Sequence, residues 1–312
     1  MLEIVRKRRL FMSRPRRRNV IATLALFVIT GSVMAGLKGG IDAIKSNQFE
    51  LGLKEVQTAA EQGSPLAQRY LGKYHLGFGK VLPINYSEAS AWFSRAATAG
   101  DTEAQSRLGI VYIKRTDGSA DCSKGLALLT QSEEWVAYTT LASVYEHGIE
   151  CASKDPAQRL VWLKKEAELD SPGAQNDLAI QYWRGEGTPA NSNEAFRWFS
   201  RAAAQGLGNS MISLGMMHFG DGLPVDEVAG VTWLKLARIA IDKRSDDFAK
   251  SQIPRLERQT AVHWNRLSPE ERAEVARRVA AFKPHSLWDE YIERKWRKEQ
   301  EEAERWDKRH AQ

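Results

Sequence analysis

Cysteine is scarce in this chain. Only Cys122 and Cys151 occur in 312 residues, and no C-x-x-C pair exists. The six histidines (His75, His147, His218, His263, His285 and His310) form neither H-x-x-H nor H-E-x-x-H. No local sequence therefore supports a metal site, and no metal or cofactor is expected. The phosphate-cradling G-x-x-x-x-G-K-[ST], the nucleophile elbow G-x-S-x-G and S-x-x-K are missing as well. Gly185 to Ala190 fits a dinucleotide-type glycine pattern on paper, but it follows a helical stretch and contains Pro189, so it reads as a turn. No catalytic residue is assigned, and the chain is read as non-enzymatic. Proline is also sparse, at ten residues, and with 43% hydrophobic content a mainly disordered chain is ruled out.

Positive charge is missing from most of the chain, despite a formal net charge of +6. Residues 1–18 hold eight Lys and Arg against Glu3 alone, and the remainder holds 37 basic against 38 acidic residues. A basic body built for nucleic acid is thereby excluded, and no nucleic-acid partner is expected.

The basic segment leads into VIATLALFVIT, and no charge appears between Val20 and Leu37. Eighteen residues are at the lower limit for crossing a bilayer. The same stretch has the three parts of a secretory signal, with Val33-Met34-Ala35 offering cleavage after Ala35. Residues 1–18 are thus a cytoplasmic n-region, and residues 19–37 are either a transmembrane anchor or a signal h-region. Both options put the body across the membrane. A start at Met12 would leave a conventional n-region. Residues 38–50 read as a linker.

From residue 51 the sequence repeats. Leu71, Leu108, Leu141, Leu178 and Leu214 recur at intervals of 37, 33, 37 and 36, each followed four residues later by His75, Tyr112, Tyr145, Tyr182 or His218. That spacing makes one stripe on a helix. A second helix follows in each unit, with Trp92, Trp162, Trp198 and Trp233 at matching places. Glycine and proline separate the two helices, as in Gly220-Asp221-Gly222-Leu223-Pro224. Each helical hairpin cannot bury its own apolar face, so neighbours must stack. Residues 51–63 look like a second helix without its first.

The pattern A-x-x-x-L-G-x-x-Y-x-x-G, a Gly/Pro loop, then A-x-x-W-[FY]-x-x-A-A-x-x-G resembles the Sel-one-like repeat, a relative of the tetratricopeptide repeat. Ser171–Gly206 matches almost throughout. The units at 64–100 and 207–241 match well, and 134–170 has Asp170 for the final glycine. The unit at 101–133 is degenerate, with Leu129 where tryptophan is expected. The resemblance implies an all-α, right-handed α-solenoid over 51–242, a half unit plus five units, with a concave face. A helical cap is expected over 243–286, where Ser268-Pro269-Glu270-Glu271 opens a helix. Residues 287–312 read as a charged helix with a loose stripe of Trp288, Ile292, Trp296, Ala303 and Trp306. The stripe serves either packing on the array or self-association.

Residues of the first helices that lie off the buried stripe are the candidates for the concave groove: Lys73, Arg107, Gln181 and Trp183. His75 and His218 occupy the stripe tyrosine position and read as packing residues. Cys122 and Cys151 fall in the interhelix loops of adjacent units, which stack side by side, and export would expose them to an oxidising compartment. They form either a disulfide or two free thiols. Bridged Sel-one-like proteins usually pair cysteines within one unit, and this chain departs from that.

The resemblance implies a protein-protein interaction scaffold or regulator that binds a protein or peptide partner. With the N-terminus, it is expected at a bacterial inner membrane or in the periplasm. Two alternatives stay open: an envelope hydrolase acting on peptidoglycan or a lactam, and a transmembrane signalling adaptor that uses the cytoplasmic arm.

Overall fold

The computed structural model describes residues 36–114, 121–150, 152–243 and 250–310. Within them the chain is an all-α solenoid whose only β feature is one isolated bridge, Ile149 to Ala152. The basic segment 1–18, residues 19–35 of the expected span with the Ala35 cleavage site, and Cys151 lie outside the described residues. No described helix is long and apolar enough to cross a membrane.

Six hairpins run in sequence. They are α1 (Leu37–Lys45) with α2 (Phe49–Glu61), α3 (Pro65–His75) with α4 (Tyr86–Thr98), and α5 (Thr102–Lys114) with α6 (Cys122–Thr130). Then come α7 (Trp135–His147) with α8 (Pro156–Glu168), α9 (Pro172–Arg184) with α10 (Ser192–Ala204), and α11 (Gly208–His218) with α12 (Glu227–Asp242). Side-chain caps start most of them. Ser64, Asn85, Asp155, Ser171, Asn191 and Asp226 each accept from amides of the first turn, which contributes about 1 kcal/mol per cap. Between hairpins the chain reverses at Gly63, Gly100 and Gly206, all with φ above +90°. Asp170 holds the equivalent place at φ +64°, and its carboxylate takes a 2.7 Å bond from Arg201 of the next unit. That bond explains how an acid replaces glycine at a left-handed position.

The first hairpin corrects the sequence reading. Residues 38–50, expected as a linker, contain α1 and the start of α2, so the half unit is a whole hairpin. Leu37, Ile41 and Ile44 supply the buried stripe of α1. The helices approach until a Cβ at Gly52 would stand 2.5 Å from the Gly40 carbonyl oxygen. Only glycine permits that contact.

The degenerate unit folds with a short second helix, α6, and Leu129 fills the tryptophan site at 0% exposure. Trp162 and Trp198 are buried, whereas Trp92 and Trp233 are only half-buried. Beyond α12, helices α13 (Ile253–Trp264) and α14 (Pro269–Ala281) pack on it and close the array. Val231, Leu267 and Val275 form the small core there, and Ser268 with Glu271 makes a reciprocal capping box.

The last helix, α15 (Leu287–Arg309), turns back along the array to its beginning. It starts beside α10, where Gln205 accepts from the Trp288 amide. It ends at α1, where Asp307 accepts from the amides of Leu37 at 2.7 Å and Lys38 at 3.1 Å. A helix N-terminus with no side-chain cap of its own is thereby capped from 270 residues away. Ala303 is fully buried against the first hairpin, with Trp296 and Trp306 packed on the same cluster. Of the stripe read in the sequence, Ala303 is thus buried on the chain's own array and the three tryptophans are half-buried, while Ile292 stays 37% exposed.

Candidate partner-binding cleft

Helix α3 places Arg69, Tyr70, Lys73 and Tyr74 along one edge, facing Glu103 and Arg107 of α5 and Trp135 of α7. Across from them α15 presents Ile292, Lys295, Trp296 and Glu299, spaced three to four residues apart so that they share one side of the helix. Between the two walls lies a cleft of about 600 Å³.

The floor of the cleft is an ionic network. Arg69, 5% exposed, donates from Nε to Asp101 at 2.7 Å, and from Nη1 to Glu103 at 3.0 Å and Glu299 at 2.8 Å. The second Glu299 oxygen accepts from the Tyr70 hydroxyl at 2.8 Å. Glu103 also accepts from Arg107 at 2.6 Å and lies 3.1 Å from the Lys295 ammonium, which reaches Glu134 at 2.6 Å. Burial pushes the Glu103 carboxyl up, but Arg69, Arg107 and Lys295 outweigh it and hold the group well below the usual carboxylate range. Glu299 is held low by Arg69 in the same way, against its own burial. Burial raises the Tyr70 and Tyr74 phenols, so both stay neutral well into the alkaline range.

Lys73 differs from the other cations. Its Nζ lies 4.7 Å from the Tyr70 ring and 5.1 Å from the Phe78 ring, and among the described residues no carboxylate forms an ion pair with it. Burial, reinforced by the nearby Arg107 guanidinium, lowers its ammonium to about 8.

The four sequence candidates separate into two pairs. Lys73 and Arg107 meet in the cleft over the Phe78 ring, though Arg107 is 9% exposed and already paired with Glu103. Gln181 and Trp183 belong elsewhere. Gln181 is fully buried inside α9, and among the described residues neither of its amide atoms has a hydrogen-bond partner. Trp183 is half-buried, edge-on to Phe199 at 5.9 Å and beside Gly222 of the next unit. The grouping of all four as one exposed groove is therefore corrected. A first helix is covered by its own second helix and by both neighbouring units, so leaving the leucine stripe does not mean reaching solvent. In α3, eight of eleven residues are buried.

Sequence reasoning missed Arg69, Tyr70, Lys295 and Glu299. The Glu103–Arg107 pair was visible as an i, i+4 contact. The Arg69–Glu299 pair spans 230 residues and left no local sign. Cys122 is the first residue of α6 and carries no free thiol.

The Sel1 repeat family model matches residues 65–101, 102–134, 172–207 and 208–238. It includes the unit read as degenerate and passes over 135–171, which still folds as the α7–α8 hairpin. Chitin synthase regulatory factor 3 of Schizosaccharomyces pombe is 30% identical over 160 residues, 48% of this chain and 17% of that protein. A chitin synthase regulator of Saccharomyces cerevisiae is 29% identical over 161 residues, 49% of this chain and 23% of that protein. The chain thus matches less than a quarter of the length of either relative. The crystal structure of a Sel1 repeat protein from Oxalobacter formigenes aligns with a TM-score of 0.54 at 24% identity, covering 65% of this chain and 85% of that one. This likeness concerns the fold alone.

Proposed function

We propose that this chain, a protein of Sel1 repeats, is a non-enzymatic interaction scaffold that binds a protein or peptide partner in the cleft between α15 and α3, α5 and α7. The observation that carries this reading is α15 itself. The first helices already hold a helix by ion pairs, a tyrosine hydroxyl and an edge-on tryptophan contact. A groove recognises a partner segment by the same kinds of contact. The two yeast relatives bear the names of regulators of a synthase, in keeping with a role in binding.

A photo-crosslinking residue in place of Phe78, which is 57% exposed at the cleft, should capture a discrete partner in cells. The same residue in place of Val161, 47% exposed on α8, should not. Equal capture at both positions would count against the cleft.

The setting proposed is a bacterial envelope, with the repeats outside the inner membrane or in the periplasm after cleavage near Ala35. The basic segment 1–18 and the uncharged run to Leu37 support it. Sequencing the mature N-terminus decides between the two: Gly36 in a soluble fraction means release, and an intact arm in membranes means an anchor. Cys122 is assigned to a bridge with Cys151, tying the degenerate unit to its neighbour. A non-reducing peptide map should recover the two joined, and Cys122→Ser should lower stability by about 2–4 kcal/mol. Separate peptides would remove the bridge.

A further inference from the structure

Among the described residues two cations of the cleft have no ion pair: Lys45 at the rim, over the Trp296 ring, and Lys73 further in. Arg69, Arg107 and Lys295 each have a carboxylate within 3.1 Å. Lys73, between them, has ring faces against its ammonium, with Glu103 and Glu299 beyond ion-pair distance. Four cations line the cleft, Lys45, Lys73, Arg107 and Lys295, against two carboxylates, Glu103 and Glu299. Both acids are already bonded to other cations. Burial disfavours the charged form of this ammonium, and Glu103 and Glu299 offset that only from beyond ion-pair distance. A methionine would fill the same space without that cost. The remaining lining is apolar or aromatic, including Tyr74, Phe78, Trp135 and Ile292.

From this charge complementarity we propose that the cleft receives an acidic side chain, carried beside a bulky apolar one on a segment of a protein partner. The carboxylate pairs with Lys73, and the apolar neighbour lies against Phe78, Trp135 and Ile292. The proposal rests on the binding reading above and deepens it by naming the chemistry recognised.

The chain carries its own sample of that chemistry. Helix α15 brings Ile292, Trp296 and Glu299 to this wall, an aliphatic, an aromatic and an acid, and the Glu299 carboxylate is read by Arg69 and Tyr70. That precedent is a side-chain carboxylate, which favours an acidic side chain over a chain terminus. A cleft of about 600 Å³ is also within the roughly 300–1,000 Å³ range of ligand pockets. A basic segment would meet Lys73, Lys45 and Arg107 and be repelled.

The charged groups facing Lys73 are Arg69 on its own helix, Glu103 and Arg107 on α5, and Glu299 and Lys295 on α15, with Lys45 at the rim. Among the cations, Lys73 is the one brought down to about 8. An anion held by it is therefore released as pH rises past that value, with an upward offset when bound, because the ligand favours the protonated form.

The test is fluorescence anisotropy on the full chain with three labelled peptides. One is an amidated pentapeptide with Trp-Leu-Glu at its centre, the second replaces Glu by Gln, and the third ends in Trp-Leu with a free carboxylate. The Glu peptide should bind at least about tenfold tighter than the Gln peptide at pH 7. Lys73→Met should abolish that preference. Lys73→Arg should retain it, including at pH 10, where the natural chain has lost it. Equal binding of the Glu and Gln peptides, or a preference unchanged in Lys73→Met, overturns the proposal. Stronger binding of the free-carboxylate peptide overturns the choice of an acidic side chain. If no peptide binds while the Phe78 crosslink still captures a partner, the scaffold reading stands and the acidic ligand does not. If both fail, both readings fall.

Discussion

Replacing Glu103 by glutamine should destabilise the protein by about 3–5 kcal/mol at neutral pH, the usual consequence of removing one member of a buried ion pair. Glutamine keeps the volume, so the loss comes from the charge. Arg69, Arg107 and Lys295 all rely on this carboxylate, and two of the three are buried arginines that cannot deprotonate in response. The pH dependence has a definite sign. A carboxyl held low in the folded state binds fewer protons than in the unfolded chain, so it stabilises above its unfolded value near 4.5. That contribution is lost as pH falls below it. Glu299 acts in the same direction. Urea unfolding of the natural chain and Glu103→Gln should therefore give well-separated midpoints at pH 7 that converge towards pH 3. Coincident midpoints at pH 7 would show that the network contributes no net stability.

Deleting residues 287–312 should loosen the opposite end of the chain. The first hairpin is α1 and α2 alone at the edge of the array, and α15 covers its core through Ala303, Trp296 and Trp306. Asp307 also supplies the side-chain cap that α1 lacks. Amide exchange over residues 37–61 should accelerate by about a hundredfold or more, since local opening no longer has to break these contacts. Residues 172–204, which α15 meets mainly near its first turn, should change little. Uniform exchange before and after deletion would mean that the first hairpin holds itself together.

The solenoid was legible because its signal is repeated. Five leucines near a 36-residue period outweigh any single irregular position, and even the degenerate unit is carried by its neighbours. Helix α1 was hidden because Gly39 and Gly40 lower helix propensity at its centre. The same Gly40 is what lets α2 come close. Lys73 and Arg107 were found by elimination and do share a cleft. Gln181 was found by the same rule and is buried, because a helix in a stacked array has several covered sides. The partners that give the cleft its charge pattern, Arg69 with Glu299 and Glu103 with Lys295, join residues about 190 to 230 positions apart. Local spacing cannot reveal such pairs.

The bond from the Leu37 amide to Asp307 also bears on the order of events during synthesis. A simple repeat array assembles from neighbouring contacts, and each hairpin settles as soon as the next one emerges. Here the first described hairpin is completed by a helix made much later, across 270 residues. It stays unfinished until residue 307 has been translated. A closing contact of that kind turns a row of separable units into one cooperative body, in which a defect in α15 is felt at α1.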